Sequence, residues 1–370
     1  MKVIKVDVVH SKEPVQLPEP WLASWNSPDG TPITSMGFSF YRVWTDEGII
    51  GIGPDTGCPN PSMLVGLDPF MVGDFWGKHM SGRRAGQSGY GASGLEIALW
   101  DIIGKATDKP IYKLLGACRD KIFVYAATSR LLEIDQHIQQ VLEIMEEGFK
   151  AVKLRLHREN PWDDVAVVEA VRNAVGDDMM ILVDANQNNP SDVYKFWSRE
   201  TALKVAKILE ELDVYFLEEP LPRNDVEGLA EIANSVDMFI AGGEHAPTIY
   251  DFKEHILKKA YDIIQPDAAM GGNTGIIGLK KIAEIADYFG VQIVPHVLST
   301  TIFPLDFAAA IHTLVTVENC PIVEFPYDPP ILTANTIQSF VKEPFKVDED
   351  GYIKLSDKPG LGVEIDEDKL

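Results

Sequence analysis

Cysteine is scarce in this sequence. Among its 370 residues there are three cysteines, Cys58, Cys118 and Cys320, which are widely spaced and form no Cys-x-x-Cys motif. This spacing argues against a disulfide framework and favours reduced thiols in a cytoplasmic protein. The amino-terminal residues lack the apolar core of a signal peptide, and no apolar run has the length of a membrane span.

Positive charge is also in short supply. The chain has 33 Lys and Arg residues against 56 Asp and Glu residues, which gives a formal net charge of −23 at pH 7. A surface this acidic repels nucleic acids and anionic membranes, so we expect neither as a partner. An anionic substrate would therefore need cations placed locally, against the field of the whole protein.

The first part of the chain has the pattern of a small mixed domain. Residues 2–9 alternate apolar and polar side chains, and residues 36–52 have the pattern of a hairpin with a polar turn. A helix is predicted over residues 92–106, because apolar side chains recur there at helical spacing. We therefore predict an α+β domain over residues 1–118.

From residue 119 onward, short apolar runs alternate with helical segments. Eight runs have the composition of buried parallel strands, at 122–127, 150–156, 180–184, 214–218, 238–242, 262–266, 291–295 and 321–325. Seven helical segments separate these runs, and prolines follow the eighth. This order predicts an α/β fold, a modified TIM barrel of the (β/α)7β type over residues 119–330. Residues 331–370 lack the barrel pattern and should return to the first domain.

Three consecutive predicted strands end in a carboxylate, namely Asp184, Glu218 and Glu244. Because the carboxyl ends of parallel strands meet at the mouth of a barrel, these side chains should converge. Converging carboxylates repel each other and need a cation, and an all-oxygen ligand set favours Mg²⁺ first and Mn²⁺ second. One acid at a strand end is usually a cap or a solvated surface group, but three in succession indicate a metal site.

The second barrel strand places basic side chains on one face. Side chains alternate along a strand, so Lys153, Arg155 and His157 share one face, while Leu154 and Leu156 share the other. Inward-pointing cations at a barrel mouth would bind a carboxylate. The alternative for Lys153 is a salt bridge with a neighbouring acid.

The last three predicted strands end in Asp267, His296 and Glu324. A histidine at a strand end is more often structural than catalytic, but a carboxylate on the adjacent strand can fix its tautomer and raise its basicity. The Asp267–His296 pair is therefore a candidate general acid/base. Glu324 is expected to stay protonated beside Glu218 and Glu244 and to donate a hydrogen bond.

The segment between the first strand and the hairpin is predicted to be a long loop rich in Pro, Ser and Gly. Such loops are often active-site lids, and a packed surface loop is an equally good explanation. Its Trp21 and Trp25 are candidates for substrate contact. Asn186, in the Asp-Ala-Asn-Gln motif after the third barrel strand, and His157 are further candidates.

An ordered series of motifs along almost the whole chain resembles the enolase superfamily and, within it, the mandelate racemase subgroup. The motifs are at 98–105, 114–116, 148–153, 184–187, 218–220, 243–244, 265–267, 271–274, His296, Glu324 and 359–363. The resemblance implies a capping domain, formed by the amino-terminal region and the carboxy-terminal tail, that covers the barrel. It also implies Mg²⁺ on the three carboxylates, a substrate carboxylate on that ion, and a base that removes the proton α to the carboxylate.

Within this resemblance, His296 and Asp267 match the subgroup's dyad, and Lys153 matches the first lysine of its Lys-x-Lys motif. Arg155 stands where the second lysine is expected. A guanidinium stays protonated in proteins and is a poor base, which disfavours racemisation by two bases. His157 lies further along the same face and is an alternative base.

With one good base, elimination is the simpler chemistry. This is the pattern of the acid-sugar dehydratases in the subgroup that the chain resembles, and the resemblance therefore implies a Mg²⁺-dependent dehydratase of aldonic or aldaric acids that forms 2-keto-3-deoxy acids. A racemase or epimerase of a 2-hydroxy carboxylic acid is the second hypothesis, and a non-catalytic anion-binding protein is the third. The intact Asp267, His296 and Lys153 argue against the third. Proteins of this kind commonly form dimers to octamers, so a homo-oligomer is expected.

Overall fold

The computed structural model describes residues 1–26, 29–82, 91–188, 196–246, 248–269, 274–297 and 302–370. Within these ranges it contains fourteen β-strands and ten α-helices. Of the motif at 271–274, only Thr274 lies within the described residues. Each helix in these ranges is too short or too polar to span a bilayer. The three cysteines are free thiols.

The amino-terminal region combines antiparallel strands with helices. Its elements are β1 (Val3–His10), β2 (Val15–Trp21), β3 (Ile33–Met36), β4 (Ser39–Thr45), β5 (Ile50–Pro54), α1 (Val72–His79), α2 (Ser93–Ala106) and α3 (Ile111–Leu114). Strands β1, β4 and β5 form one antiparallel sheet, which confirms the predicted first strand and hairpin.

The prediction of a continuous loop before the hairpin was wrong, because β2 pairs with β3 there. Pro18 and Pro20 interrupt the β2 segment, Val-Gln-Leu-Pro-Glu-Pro-Trp. Proline is found in sheets at edges and irregular positions, so it weakens the strand pattern in a sequence. The pairing is irregular, with a register shift between Gln16 and Trp21.

Each of the eight predicted barrel runs contains a strand. The strands are β6 (Lys121–Ala127), β7 (Ala151–Arg155), β8 (Met180–Asp184), β9 (Val214–Glu218), β10 (Phe239–Gly242), β11 (Ile263–Ile264), β12 (Gln292–Ile293) and β13 (Val323–Pro326). They pair in parallel in the order β12-β11-β10-β9-β8-β7-β6-β13. The backbone N–H of Ile293 in β12 donates to the carbonyl of Asn319, shortly before β13, at 3.0 Å.

Among the described residues, seven helices surround these strands, in agreement with the predicted number. They are α4 (Ile134–Glu146), α5 (Pro161–Val175), α6 (Arg199–Glu211), α7 (Val226–Ala233), α8 (Ile249–Lys258), α9 (Gly275–Tyr288) and α10 (Phe303–Leu314). The outer core between strands and helices contains Leu154 and Leu156, the outward-facing residues of the second strand. The structure is therefore a modified TIM barrel with an antiparallel cap.

A separate apolar cluster fills the inside of the barrel with side chains from all eight strand segments. It includes Tyr125, Ala151, Leu182, Phe216, Ala241, Ile263, Val294 and Ile322. Because side chains alternate along a strand, the residue two positions further on also points inward. Lys153, Asp184, Glu218, His296 and Glu324 each follow one of these apolar residues by that step. Strand alternation therefore directs the polar groups into the barrel mouth.

The carboxy-terminal tail contacts both parts of the chain. Strand β14 (Tyr352–Lys354) pairs antiparallel with β6 of the barrel. The backbone N–H of Leu361 donates to Asp101 Oδ1 in α2 at 2.9 Å, and Arg42 in β4 forms an ion pair with Glu367 at 2.7 Å. The domain boundaries at residues 118 and 330 stay predictions.

A buried carboxylate joins the cap to the barrel. Glu96 of α2 accepts backbone hydrogen bonds from Ile276 at 2.9 Å and Ile277 at 3.1 Å, at the start of α9. Gly275 has a φ of +59°, and a Cβ there would lie 2.5 Å from Glu96 Oε2, so the contact requires glycine. Burial raises the pKa of Glu96 from 4.5 to about 7, against the hydrogen bonds, which lower it.

The contact between Glu96 and the start of α9 predicts how the free energy of unfolding depends on pH. A raised pKa in the folded state means that the folded protein holds the Glu96 proton more tightly than the unfolded chain does. The contribution of Glu96 to the free energy of unfolding therefore falls as pH rises from about 4.5 to about 7. Glu96→Gln removes this dependence, so urea denaturation should show the variant gaining on the wild type as pH rises through that range.

The matched control is Glu227→Gln, an exposed carboxylate in the first turn of α7. The free energy of unfolding of the Glu227→Gln variant should have the same pH profile as that of the wild type. Parallel pH profiles for Glu96→Gln and the wild type would show that the Glu96 proton is not linked to folding.

Candidate active site

The polar side chains predicted at separate strand ends meet at the carboxyl end of the barrel. Strand register places Arg155 of β7 beside Asp184 of β8, and Asp184 beside Glu218 of β9. A parallel bridge joins Asp267 to His296, just beyond β11 and β12. The carboxylates of this cluster are almost fully buried. Their charges must therefore be neutralised within the protein.

The two cations of β7 neutralise part of this charge. Lys153 Nζ lies 2.7 Å from Glu218 Oε2 and 2.8 Å from Glu324 Oε1. Arg155 contacts Asp184 Oδ2 and donates from Nε to the carbonyl of Thr128 at 2.7 Å. Burial opposes the charge of Lys153, but Glu218 and Glu324 outweigh it and hold the pKa of this lysine well above its usual value. Lys153 is therefore a cation here, in the salt bridge that was the alternative for this residue.

The three predicted metal ligands lie on neighbouring strand ends, but their oxygens do not converge in this conformation. Asp184 turns to Arg155 and Glu218 turns to Lys153. Among the described residues, the one group with three ligating atoms within 4.8 Å of one another is Glu244, His245 and His296. Asp184 and Glu218 are therefore held by ion pairs, Glu244 lies beside two histidines, and the oxygen triad stays a prediction.

The carboxylates nevertheless fit a hard divalent ion. Burial and the neighbouring Asp184 raise the pKa of Glu218 to about 8, although Lys153 opposes this shift. The positive charge of Lys153 therefore does not fully offset the negative charge around Glu218. Its Oε1 atom is buried and has no hydrogen-bond partner among the described residues. Oxygen ligands on adjacent strand ends suit Mg²⁺, and a rotation of these side chains would bring them together. Asp184, Glu218 and Glu244 therefore remain the candidate ligands.

The predicted dyad is assembled. His296 Nδ1 donates to Asp267 Oδ1 at 2.6 Å, because a carboxylate only accepts. This hydrogen bond leaves Nε2 facing Glu244 Oε2, at 3.5 Å. Burial opposes the charged imidazole, but Glu244 and Asp267 outweigh it and raise the pKa of His296 well above its usual value. The side chain is 12% exposed, toward the barrel mouth.

The hydrogen bonds of Glu324 differ from those expected for the predicted protonated side chain. Its Oε1 accepts from Lys153, and its Oε2 accepts from the backbone N–H of Val297 at 3.0 Å. Burial raises the pKa of Glu324, but Lys153, His296 and Arg155 outweigh it and bring the pKa below the usual value. The predicted protonated donor is therefore an ionised acceptor, because a lysine cation lies directly against it.

A cavity of about 60 Å³ lies beside His296 of the dyad. Its lining is Trp25, Ala127, Arg155, Asn186, Glu244, His245, His296, Val297, Glu324 and Pro326. A larger surface groove of about 850 Å³ runs along α4, but it contains neither the dyad nor the carboxylate cluster. The chemistry therefore belongs to the smaller cavity.

Two of the four candidate substrate contacts line this cavity. Asn186 donates from its backbone to Asp184 Oδ1 at 2.7 Å and from its side chain to Asp184 Oδ2 at 2.9 Å. The Arg155 guanidinium lies 5.0 Å from the centre of the Trp25 ring, close enough for a cation–π contact. Asn186 therefore orients the Asp184 carboxylate, and Trp25 packs against the Arg155 guanidinium, at the barrel mouth.

Trp21 and His157 do not line the cavity, and their role as substrate contacts stays a prediction. Trp21 is buried and donates from Nε1 to Ser129 Oγ at 2.8 Å. His157 donates from Nδ1 to the carbonyl of Ser24 at 2.5 Å. Both residues attach the amino-terminal segment to the barrel, a contact that sequence spacing does not reveal.

His245 is the mouth residue that sequence reasoning missed. It directly follows Glu244 and adopts a φ of +57°, the left-handed region. Its backbone N–H donates to Asp267 Oδ2 at 2.8 Å, which turns its side chain into the cavity beside His296. The only signal in the sequence was its position next to a predicted metal ligand.

Two family models match this chain. The family model for the mandelate racemase / muconate lactonizing enzyme N-terminal domain matches residues 23–116. The model described as enolase C-terminal domain-like matches residues 136–369. Together these two models span most of the cap and the barrel.

Several curated relatives match over most of the chain. The L-talarate/galactarate dehydratase of Salmonella typhimurium is 30% identical over 94% of this chain and 80% of its own length. The arabinonate dehydratase of Saccharolobus solfataricus is 31% identical over 88% of this chain and 87% of its own length. The D-galactarolactone cycloisomerase of Agrobacterium fabrum is 29% identical over 92% of this chain and 94% of its own length.

A solved structure agrees with this fold along the whole chain. L-Talarate dehydratase from Polaromonas sp. JS666, complexed with Mg and L-glucarate, has a TM-score of 0.80 and 25% sequence identity. The match covers 100% of this chain and 96% of that one. Magnesium and a sugar diacid are thus bound together in a protein of this architecture.

The carboxylate assignment predicts the effect of Glu218→Gln on metal binding. The amide keeps the size of the side chain but loses the charge and one ligating oxygen. Calorimetric titration of the metal-free protein with Mg²⁺ should show at least about tenfold weaker binding, roughly 1.4 kcal/mol. Glu227→Gln, on the surface of α7, is the control and should bind as the wild type does. Unchanged Mg²⁺ affinity in Glu218→Gln would remove Glu218 from the ligand set.

Proposed function

The chain belongs to the enolase superfamily, in the mandelate racemase and muconate lactonizing enzyme group, and we propose that it is a Mg²⁺-dependent sugar-acid dehydratase. The reaction removes the proton α to a carboxylate, eliminates the β-hydroxyl as water, and leaves a 2-keto-3-deoxy acid. The observation that carries this proposal is the Asp267–His296 dyad, which faces the mouth cavity.

His296 is the proposed general base. The hydrogen bond to Asp267 fixes the imidazole so that Nε2 points toward the cavity. Glu244 favours the charged imidazole in the metal-free site, and a cation bound at Glu244 would offset that charge and favour the neutral ring, whose Nε2 can accept the α-proton. Asp267 then stabilises the imidazolium that forms. Because Nδ1 is already engaged, Nε2 is the atom at which the proton enters and leaves.

The elimination balances with this one base. As Nε2 takes the α-proton, the electron pair of the C–H bond forms a double bond, and the bond to the β-oxygen breaks. The imidazolium returns its proton to the departing oxygen, which leaves as water. The enol that remains tautomerises to the 2-keto acid, and His296 is again neutral.

The carboxylate of the substrate needs positive charge in an acidic protein. Arg155 borders the mouth cavity, and Lys153 lies just below it with its ammonium group against Glu218 and Glu324. Bound at Asp184, Glu218 and Glu244, Mg²⁺ would supply Lewis-acid charge to the substrate carboxylate. Asn186 keeps the Asp184 carboxylate oriented for this role.

A racemase or epimerase is the alternative, and the cations of β7 weigh against it. Racemisation requires a second base on the opposite side of the substrate from His296. Lys153 is held as an ammonium ion by two carboxylates, and Arg155 is held by Asp184. Neither accepts a proton in this arrangement, which favours elimination. Cytoplasmic location, a homo-oligomeric state and use of Mn²⁺ stay predictions from the sequence.

The proposal predicts a product. Incubation of the protein with a library of aldonic and aldaric acids and Mg²⁺ should convert at least one acid to its 2-keto-3-deoxy product, followed by NMR. Removal of the metal with a chelator should abolish turnover, and added Mg²⁺ should restore it. Full activity in excess chelator after exhaustive dialysis would contradict the metal requirement. Exchange of the α-proton without elimination would identify a racemase or epimerase instead.

The role of His296 predicts a specific loss. Asparagine has no basic nitrogen, so His296→Asn should slow both dehydration and exchange of the α-proton in deuterated water at least about 100-fold. The control is His10→Asn on β1, away from the barrel mouth, which should keep both activities. Normal exchange and turnover by His296→Asn would place the base on another residue.

A further inference from the structure

We propose that Glu244, His245 and His296 form a second metal site, selective for a transition-metal ion such as Zn²⁺ or Co²⁺. The three residues offer one carboxylate oxygen and two imidazole nitrogens, all within 4.8 Å of one another. This ligand set differs from the all-oxygen set proposed for Mg²⁺, and the two sets share Glu244. The inference therefore concerns a competing ion at the same barrel mouth.

The spacing of the ligating atoms suits a tetrahedral ion. His296 Nε2 lies 3.5 Å from Glu244 Oε2, and His245 Nε2 lies 3.7 Å from Glu244 Oε1. For metal–ligand bonds of about 2.0–2.2 Å, tetrahedral geometry separates neighbouring ligand atoms by roughly 3.3–3.6 Å. The two imidazoles approach different oxygens of Glu244, so a rotation of this carboxylate would be needed to bring both nitrogens to tetrahedral spacing from one oxygen.

Asp267 already provides the outer support that metal-binding histidines usually have. It accepts from His296 Nδ1 at 2.6 Å, and its Oδ1 lies 3.9 Å from His245 Nδ1. It also accepts the backbone N–H of His245 at 2.8 Å. A carboxylate behind a histidine fixes the tautomer in which Nε2 is available to a metal. Asp267 thus orients the imidazole of His296 directly and positions His245 through its backbone.

The site is accessible as well as preorganised. The side chain of His245 is 35% exposed, and that of His296 is 12% exposed. All three residues line the mouth cavity, which leaves the fourth tetrahedral position for water or a small ligand. An ion can therefore enter from solvent with its remaining coordination site open.

The ligand types decide which ion each set prefers. Mg²⁺ binds oxygen and takes imidazole poorly, whereas Zn²⁺, Co²⁺, Ni²⁺ and Cu²⁺ accept imidazole readily. A transition-metal ion on the second site would engage His296 Nε2 and occupy Glu244. If the proposed function holds, such an ion inhibits the dehydratase, because the base and a shared ligand are both taken.

Cobalt provides a direct readout that does not depend on activity. Addition of Co²⁺ to the metal-free protein should produce an intense visible absorption band, typical of four-coordinate cobalt with nitrogen ligands, that saturates at one ion per chain. His245→Gln should lose this band and bind Co²⁺ at least about tenfold more weakly. His10→Gln, on β1, is the matched control and should keep both the band and the affinity.

Two further variants separate the two ligand sets. Asp184→Asn removes a ligand of the oxygen set only, so it should keep the cobalt band. His245→Cys replaces the imidazole with a thiolate and should restore tight binding, with a charge-transfer band from sulfur to cobalt. Circular dichroism of each variant verifies that it is folded.

Several outcomes would overturn the second site. These are the absence of an intense band in the wild type, an unchanged band in His245→Gln, or loss of the band in Asp184→Asn. The dehydratase proposal is independent of these outcomes, because it is tested by product formation and by Mg²⁺ titration. A protein that dehydrates a sugar acid but shows no cobalt band refutes the second site alone.

Discussion

Neutralisation of buried carboxylates is the constraint on which this barrel mouth depends. Asp184, Glu218 and Glu324 are almost fully buried, and each contacts a cation of the second barrel strand. Without that charge, burial would be too costly for several ionised acids in one small volume. The same carboxylates are the groups proposed to hold Mg²⁺, so metal binding and the internal ion pairs compete for the same oxygens. Glu244 has a different environment, because the histidines around it outweigh burial and lower its pKa to about 2.

The cap is attached to the barrel at points close to this chemistry. On one side, Glu96 binds the start of α9, and the indole of Trp76 donates to the carbonyl of Thr274 at 2.8 Å. On the other side, the segment after β2 places Trp25 over Arg155, and Ser24 donates its backbone N–H to Ser129 at 2.7 Å. The cap therefore contributes Trp25 to the wall of the cavity, where its ring packs against Arg155 of β7. A substrate carboxylate would meet an arginine whose position depends on both domains.

Sequence reasoning predicted the barrel well because its signals are local. Strand positions, helix count and the inward direction of the strand-end side chains follow from short-range periodicity. It failed where a residue's partner was distant in the chain. Trp21 Nε1 contacts Ser129 and His157 Nδ1 contacts Ser24, and no local pattern in the sequence indicates these pairs. The paired strands β2 and β3 were missed because prolines interrupt the first of them.

The amino-acid sequence by itself determined which strand-end side chains enter the mouth. Alternation along each strand and the order of the strands require Asp184, Glu218, Asp267 and His296 to face one another, whatever the packing details. Only the tertiary structure decided the state of each group. Glu324 is an ionised acceptor because Lys153 lies 2.8 Å away, and His245 joins the site because Asp267 holds its backbone. Charge state depends on burial and on distances between strands, and these exist only after the barrel has closed.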